Sequence, residues 1–309
     1  MAIKSFFYRL ISSYLFILLL ALLGGIVFAK ETVGLAQYST IFLGIIFFFS
    51  ALKIDIKEAI GYLRDRKMIF VVNIFMLILL PVLVYYLSLL FIPELAIAFL
   101  ILAAMPCGMT APLLSEIVGG KQELALVLTI STSLLAPLTV PLVIKIVAGT
   151  AVTVSFYAMF ISLAKVIFIP FIIANFIKYF WHSKIKATYY TFKPISIVLL
   201  GLLIMGIVAK QSNAIINSLQ GNFLFYISAL FGAFIVFHIL GYFTVFWRGK
   251  RDRMTITICL AYMNFTLAIY LVGNFFTAPN IIIPVVLSVL PWSLLIIPFK
   301  YLVKKFKFI

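Results

Sequence analysis

The sequence predicts an all-α polytopic membrane protein with ten transmembrane helices, arranged as two inverted five-helix repeats. The first observation behind this is composition: the 309 residues are 65% hydrophobic and 10% charged, whereas soluble domains are about 45–50% apolar and about 25% charged. The second is a series of apolar stretches long enough to cross a bilayer. The third is the collection of basic residues in every second connection between them. Together they exclude an ordinary soluble domain.

Ten apolar stretches have the length of roughly 17–25 residues that a membrane helix needs. In chain order these predicted spans cover 10–29, 38–54, 69–91, 95–118, 123–147, 153–177, 194–211, 222–246, 254–273 and 280–303. The first follows Lys4 and Arg9 in the manner of a signal peptide, but its apolar run is too long for one. The connections are short, so no soluble domain fits between the spans.

The basic residues predict the orientation. With the N-terminus inside, 20 of the 24 basic residues fall in cytoplasmic segments; Lys30, Lys145 and Lys210 fall outside, and Lys165 lies within a span. This bias is the positive-inside pattern, and it predicts both termini in the cytoplasm. It also accounts for the formal net charge of +16 without nucleic acid as a partner. The expected location is the cytoplasmic membrane of a prokaryotic cell.

Ten spans with both ends inside divide into two halves, residues 1–148 and 149–309. A duplicated five-span unit inserts its second copy upside down, and inverted repeats place a site at interrupted helices near the midplane. Spans 4 and 9 are the matching pair. Span 4 carries MPCGMTAP (105–112), and span 9 carries CLAYMNFTLA (259–268), in which Asn264 interrupts an apolar run. Both interruptions lie about ten residues, or roughly 15 Å, into their spans, so they can meet at mid-membrane.

Three residues explain why span 4 is expected to break. Pro106 and Pro112 lack N–H donors, and Gly108 tolerates unusual dihedral angles. The break releases backbone groups, which membrane proteins tolerate only beside protein or water. We expect these open backbone groups, rather than side chains, to bind a solute. A proline kink that serves only helix packing is the alternative.

Four segments resemble the bile acid:sodium symporter superfamily. They are LGIIFFFSALKIDIKEA (43–59), PCGMTAPLLSEIVGGKQELALVLTISTSLLAPLTVP (106–141), FHILGYF (237–243) and TITICLAYMN (255–264). Their order and spacing resemble the second, fourth to fifth, eighth and ninth spans of that family. The resemblance implies two inverted repeats with crossing broken spans 4 and 9. It also implies a core of spans 3–5 and 8–10, facing a panel of spans 1, 2, 6 and 7.

The resemblance further implies alternating-access transport of amphipathic organic anions with sodium. It places the family's sodium ligands at Met76, Ala111, Pro112, Ala125, Thr129, Cys259 and Met263. Only Thr129 keeps an oxygen, although hard cations prefer oxygen ligands. The sodium alternative that stays open uses Thr129, residues 131–133 and released carbonyls of spans 4 and 9. Asn264, beside the substrate path in the family, is retained.

The expected function is secondary transport of a small organic anion or related organic solute, without a cofactor other than sodium as a candidate coupling ion. An enzyme is not expected, because the chain has no HExxH motif and no paired intramembrane aspartates. Open alternatives are a proton-coupled or uncoupled exporter or facilitator, including metalloid efflux, and a non-transporting receptor. The expected partners are the solute and the lipid bilayer, with the chain acting as a monomer or homodimer.

Candidate site residues follow from these expectations. The substrate-binding candidates are Pro106, Cys107, Gly108, Thr110, Pro112, Asn264 and Thr266. The ion-coupling candidates are Thr129, Ser133, Cys259, Met263, Glu116 and His238. Glu116 is otherwise an interfacial charge, because it lies roughly 12 Å beyond the break. His238 is otherwise a neutral imidazole hydrogen-bonded between helices, and the cysteines are otherwise small buried hydrophobes.

Overall fold

A computed structural model describes residues 14–54, 65–149, 154–219 and 223–305. Over these ranges the chain forms helices and no strand. Seven of the described helices are long and apolar enough to cross a membrane: Ala29–Lys53, Arg66–Phe91, Gln122–Ala148, Phe156–Trp181, Tyr189–Lys210, Phe223–Thr244 and Pro279–Lys305. The predicted all-α, multi-pass membrane protein is therefore confirmed at this level.

Three further apolar helices are shorter, namely Phe16–Val27, Pro93–Ala104 and Phe265–Phe275. They overlap predicted spans 1, 4 and 9, so helix length gives seven spans among the described residues where the sequence predicts ten. Parts of the prediction lie outside the described residues. These are the starts of spans 1, 6 and 8 (10–13, 153 and 222) and the basic residues Lys4, Arg9, Lys57, Arg64 and Lys307.

Spans 4 and 9 are each divided into two helices. Helices Ala96–Ala104 and Ala111–Ile117 are separated by residues 105–110, and helices Lys250–Ala261 and Phe265–Phe275 by residues 262–264. We call these segments the first break and the second break. In the first, Met105 turns to an extended conformation directly before Pro106, which disfavours helix in the residue that precedes it.

Asn264 restarts the helix after the second break. Its side-chain oxygen accepts a hydrogen bond of 3.1 Å from the backbone N–H of Leu267, as an N-cap residue does. In span 4, helix Ala111–Ile117 is followed after Val118 by Gly119, whose φ of 78° is open to glycine without strain. Both halves of each divided span therefore have defined ends.

Ion pairs join the chain directly after span 4 to the start of span 9. The ammonium of Lys121 lies 2.6 Å from the buried carboxylate of Asp252. Arg248 pairs with Asp252 at 3.0 Å and with Asp65 at 2.7 Å. The hydroxyl of Thr255 accepts the backbone N–H of Lys121 at 2.7 Å. These contacts link Asp65 and Lys121, which precede helices Arg66–Phe91 and Gln122–Ala148, to the start of helix Lys250–Ala261.

The helices pack in two groups. Helix Ser39–Lys53 packs on Phe156–Ala187 and on Tyr189–Lys210, which in turn covers Tyr14–Val27. In the second group, Gln122–Ala148 packs on both halves of span 4 and on Lys250–Ala261, and Phe223–Thr244 packs along Lys250–Ala261. The groups meet along helices Gln122–Ala148 and Phe156–Ala187, and again where Ser39–Lys53 and Tyr189–Lys210 face Phe265–Phe275 beside the two breaks.

Candidate functional site

The two breaks pair with each other through their backbones. The N–H of Gly108 donates to the carbonyl of Tyr262 at 3.0 Å, and the N–H of Asn264 donates to the carbonyl of Pro106 at 2.8 Å. Cys107 and Met263 thereby face each other as an isolated antiparallel bridge. Each break thus supplies one backbone donor and one backbone acceptor to the other, in place of bonds that an unbroken helix would make.

This pairing requires glycine at position 108. A Cβ atom there would collide with the carbonyl oxygen of Tyr262 and would lie 3.1 Å from that of Met263. Only a residue without a side chain allows the two backbones to approach so closely. The close contact with the second break therefore explains why a glycine occupies position 108.

Further carbonyls at the crossing are also engaged. The carbonyl of Met263 accepts the indole N–H of Trp292 at 3.2 Å. That of Gly108 accepts the backbone N–H of Ala111 at 3.0 Å. The sequence led us to expect free backbone carbonyls that bind a solute. In the structure these carbonyls accept hydrogen bonds from the protein, because the second break supplies partners that the first break alone would lack.

Unpaired polar atoms at the site belong to side chains instead. Four buried side-chain atoms in the described residues have neither a hydrogen-bond partner nor an ion pair: Asn73 Oδ1, Thr110 Oγ1, Ser133 Oγ and Asn264 Nδ2. Asp252 Oδ1 also lacks a hydrogen bond, but its carboxylate is ion-paired with Lys121. Two of these residues, Thr110 and Asn264, line the cavity beside the breaks. The amide nitrogen of Asn264 can only donate, so it calls for an acceptor atom from a ligand or water.

A cavity of about 560 Å³ lies between the breaks and the facing helices Ser39–Lys53 and Tyr189–Lys210. This volume is within the range of about 300–1,000 Å³ that is common for small-molecule sites. Its walls are mainly apolar and aromatic, with Phe47, Phe49 and Phe192 on the side opposite the breaks. The combination of apolar walls and a few polar groups suits an amphipathic solute.

Two lysines line the same cavity. Lys53 and Lys193 are close enough for their ammonium groups to repel each other, and the Nζ atom of Lys53 lies 5.8 Å from the centre of the Phe192 ring. None of the described residues that line the cavity is acidic. The cavity therefore carries positive charge at the C-terminal end of helix Ser39–Lys53.

The opposite end of that helix is closed by polar contacts. The hydroxyl of Tyr270 lies 2.6 Å from that of Ser162 and 3.1 Å from that of Thr40. The amide nitrogen of Asn274 donates to the Ser39 hydroxyl at 3.3 Å. Thr40 and Lys53 are separated by about 20 Å of helix, so these polar contacts lie at the opposite end of helix Ser39–Lys53 from the exposed Lys53 and Lys193.

The implied sodium positions provide a poor set of donors. Thr129 supplies the one side-chain oxygen, and its hydroxyl donates to the carbonyl of Ala125 at 2.8 Å and contacts the sulfur of Cys107 at 3.2 Å. The other implied positions hold thioethers, a thiol or hydrocarbon. Such ligands suit soft metals rather than hard cations.

The structure distributes the candidate residues unevenly. The cavity is lined by Gly108, Thr110, Pro112, Thr129, Met263, Asn264 and Thr266. Ser133 lines a smaller adjoining cavity. The candidates that line neither cavity are Pro106, Cys107, Glu116, His238 and Cys259. Glu116 is exposed on helix Ala111–Ile117.

Both cysteines are buried, reduced and in contact with each other at the crossing. No cluster of three or more His, Cys, Asp or Glu side chains occurs in the part of the chain that the structure describes. The sequence reasoning missed Lys53, Lys193, Tyr262 and Trp292 as cavity residues. The signals available were modest: Tyr262 adjoins Asn264, and Trp292 is the one tryptophan in predicted span 10.

Comparison with known proteins adds one finding. The profile of the Sodium Bile acid symporter family matches residues 40–218, more than half of the chain. No curated protein matches the chain at a significant level.

Proposed function

The chain belongs to the sodium bile acid symporter family, whose members are transporters and not enzymes, and from this we propose that it carries a small organic anion across the prokaryotic cell membrane. The transport is secondary and proceeds by alternating access. In this proposal the three short apolar helices count as spans, which completes ten spans in two inverted repeats. The group formed by spans 1, 2, 6 and 7 moves against the group that holds the breaks.

The observation that carries the proposal is the buried, unpaired amide nitrogen of Asn264, a residue that lines a positively charged, mainly apolar cavity. Leaving a buried donor unpaired costs about 1–3 kcal/mol, which an acceptor oxygen of a carboxylate or sulfonate would recover. The N-terminus of helix Phe265–Phe275 begins at the same residue and favours negative charge. Lys53 and Lys193 add positive charge at the open end of the cavity.

Sodium is not the coupling ion in this proposal. Thr129 is the one oxygen-bearing side chain among the seven implied positions, and the carbonyls of Pro106, Tyr262 and Met263 already accept hydrogen bonds from the protein. At the seven implied positions a hard cation would have to displace these bonds without gaining a carboxylate or amide ligand. We therefore assign sodium no step of the transport cycle.

Trp292 offers a direct test of anion binding. It lines the cavity and is 6% exposed, whereas the other two tryptophans, Trp181 and Trp247, are 50% and 53% exposed. In a Trp181→Phe, Trp247→Phe background, the fluorescence of the purified protein reports on the cavity alone. Octanoate, benzoate, succinate and cholate serve as probe anions, with uncharged benzamide as the control.

The expected result is saturable quenching by at least one anion and not by benzamide. The same anion should then support counterflow in proteoliposomes that contain the protein. Quenching without counterflow would instead favour a non-transporting receptor, and the absence of both across all four anions would contradict the proposed function.

A further inference from the structure

A histidine inside the second helix group is connected to the second break. His238 lies on helix Phe223–Thr244 and is 9% exposed. Its Nδ1 atom is 2.7 Å from the carbonyl oxygen of Phe234, and its Nε2 atom is 3.2 Å from the hydroxyl of Tyr262. Histidine titrates near neutral pH, and an ionisable residue within a membrane helix is a functional candidate.

These two contacts determine which nitrogen carries the hydrogen. A carbonyl oxygen can only accept, so Nδ1 must donate to Phe234. In the neutral ring Nε2 then has a free lone pair and accepts the hydrogen of the Tyr262 hydroxyl. A proton that binds to His238 must therefore bind at Nε2, the atom that faces Tyr262.

Tyr262 links this nitrogen to the transport site. Its backbone carbonyl accepts the N–H of Gly108, which joins the two breaks. Its ring lies against Trp292, with 6.0 Å between ring centres, and both residues line the cavity. A change in the hydrogen bond at the Tyr262 hydroxyl thus acts on a residue shared by the cavity and the crossing.

Among the described residues, the helices packed against His238 supply no free acid to balance its protonated form. The helices packed against it carry the titratable residues Lys250, Arg251, Asp252, Arg253, Cys259, Lys300, Tyr301, Lys304 and Lys305. Asp252, the one acid among them, is already paired with Lys121 and Arg248. The ring of Phe299, 4.6 Å away, is the other close neighbour.

We propose that His238 is the proton-binding residue of this transporter and that Tyr262 transmits its protonation to the two breaks. A proton that binds at Nε2 makes this atom a donor, so the Tyr262 oxygen changes from donor to acceptor and its own hydrogen turns away. The inference rests on the proposed transport of an anion, because the bound anion supplies the negative charge that balances protonated His238.

The coupling follows from the energetics of a buried charge. A protonated imidazole without a counter-charge in a buried site is costly, and a bound anion in the adjacent cavity lowers that cost. Linkage makes the effect reciprocal, so protonation strengthens anion binding by the same factor. Anion and proton therefore enter the same state of the transporter and cross together.

The test uses benzoate and the Trp292 reporter at about pH 5.5 and about pH 8, on either side of the ordinary histidine pKa of about 6.5. Wild-type affinity for benzoate should be at least about fivefold higher at the lower pH, as expected for a coupling free energy of about 1 kcal/mol. In weakly buffered solution, benzoate binding should take up protons. Both effects should disappear in His238→Gln and diminish in Tyr262→Phe, which keeps the aromatic ring.

His182→Gln is the matched control, since His182 is the other histidine of the chain, and it should behave as wild type. A pH-dependent affinity that persists in His238→Gln would overturn the inference and leave the proposed function standing. If benzoate does not bind at all, Trp292 fluorescence is titrated with protons alone. A wild-type step that His238→Gln abolishes then supports the inference, and its absence overturns it.

Discussion

At the scale of single residues, Asn264 combines two roles through two atoms. Its oxygen caps helix Phe265–Phe275 by accepting the N–H of Leu267, and its nitrogen is buried without a hydrogen-bond partner among the described residues. The sequence identified Asn264 because a polar residue interrupts an apolar run. The division of work between its atoms depends on the orientation of the side chain, which follows only from the packed structure.

Asn264→Asp separates these roles, because aspartate keeps the capping oxygen and replaces the donor with a negative oxygen. We expect anion affinity to fall by about tenfold or more, as the loss of a hydrogen bond to a charged group costs about 1.5–3 kcal/mol. Thermal stability should stay near wild type. Trp292 titration and thermal unfolding measure the two quantities, and undiminished benzoate affinity would refute the assigned role of the nitrogen.

Lys53→Gln tests the positive charge of the cavity. We expect the variant to bind anions more weakly than wild type. We also expect added salt to reduce its affinity less than that of wild type, because salt screens the attraction between an exposed charge and the anion. Lys165→Gln is the matched control, since Lys165 is exposed and lies away from the cavity. Titrations with benzoate at low and high ionic strength provide the measurement. Equal effects of the two substitutions would argue against a specific role for Lys53.

At the scale of elements, each broken helix depends on the other. The first break exposes backbone groups because Pro106 ends its helix, and the second break provides a carbonyl and an N–H at matching positions. Proline and glycine predict that a helix opens, but they do not predict where the released groups find partners. This is why the sequence suggested an open backbone and the structure contains a bridge.

Gly108→Ala tests the bridge. The added methyl group would collide with the carbonyl oxygen of Tyr262, so we expect the two breaks to separate and transport to be lost. The free energy of unfolding should fall by about 1–3 kcal/mol, the usual range for overpacking a well-packed site. Gly232→Ala is the control, because open space surrounds that position. Unchanged counterflow and stability in Gly108→Ala would contradict the described crossing.

At the scale of the whole molecule, we infer that the cavity opens at the Lys53 end, where Lys53 and Lys193 are exposed, and is closed at the Tyr270 end by hydrogen bonds. The proposed alternating access requires that this closure breaks and that a second closure forms near the lysines. The hydroxyl of Tyr270 contacts Thr40 and Ser162 from the facing helix group. It is therefore a contact that must be lost when the two helix groups move apart at this end.

Tyr270→Phe removes these hydrogen bonds and keeps the ring. We expect the open state at the Lys53 end to lose population by about two- to tenfold relative to the opposite state, since each hydrogen bond contributes about 0.5–1.5 kcal/mol. The rate at which a maleimide labels Ser50→Cys, a position in the cavity wall, measures this population. Tyr157→Phe, at an exposed position, is the control. Faster labelling in Tyr270→Phe would show that Tyr270 does not hold this closure.

The sequence by itself determined that this protein crosses a membrane several times through helices and that spans 4 and 9 are interrupted. These properties depend on local apolarity and on residues such as Pro106 and Asn264, which act on their own segment of chain. Four segments of the sequence likewise resemble the sodium bile acid symporter family, and the match of the family profile to residues 40–218 confirms the membership.

The tertiary structure alone decided how the site is built. Lys53 and Lys193 are 140 positions apart in the sequence yet line one cavity, and Gly108 and Tyr262 join only where two helices cross. Hydrogen bonds and charges act over a few ångströms, so their partners depend on the packing of distant segments. A single sequence displays the residue types, but distances between them arise only when the helices pack.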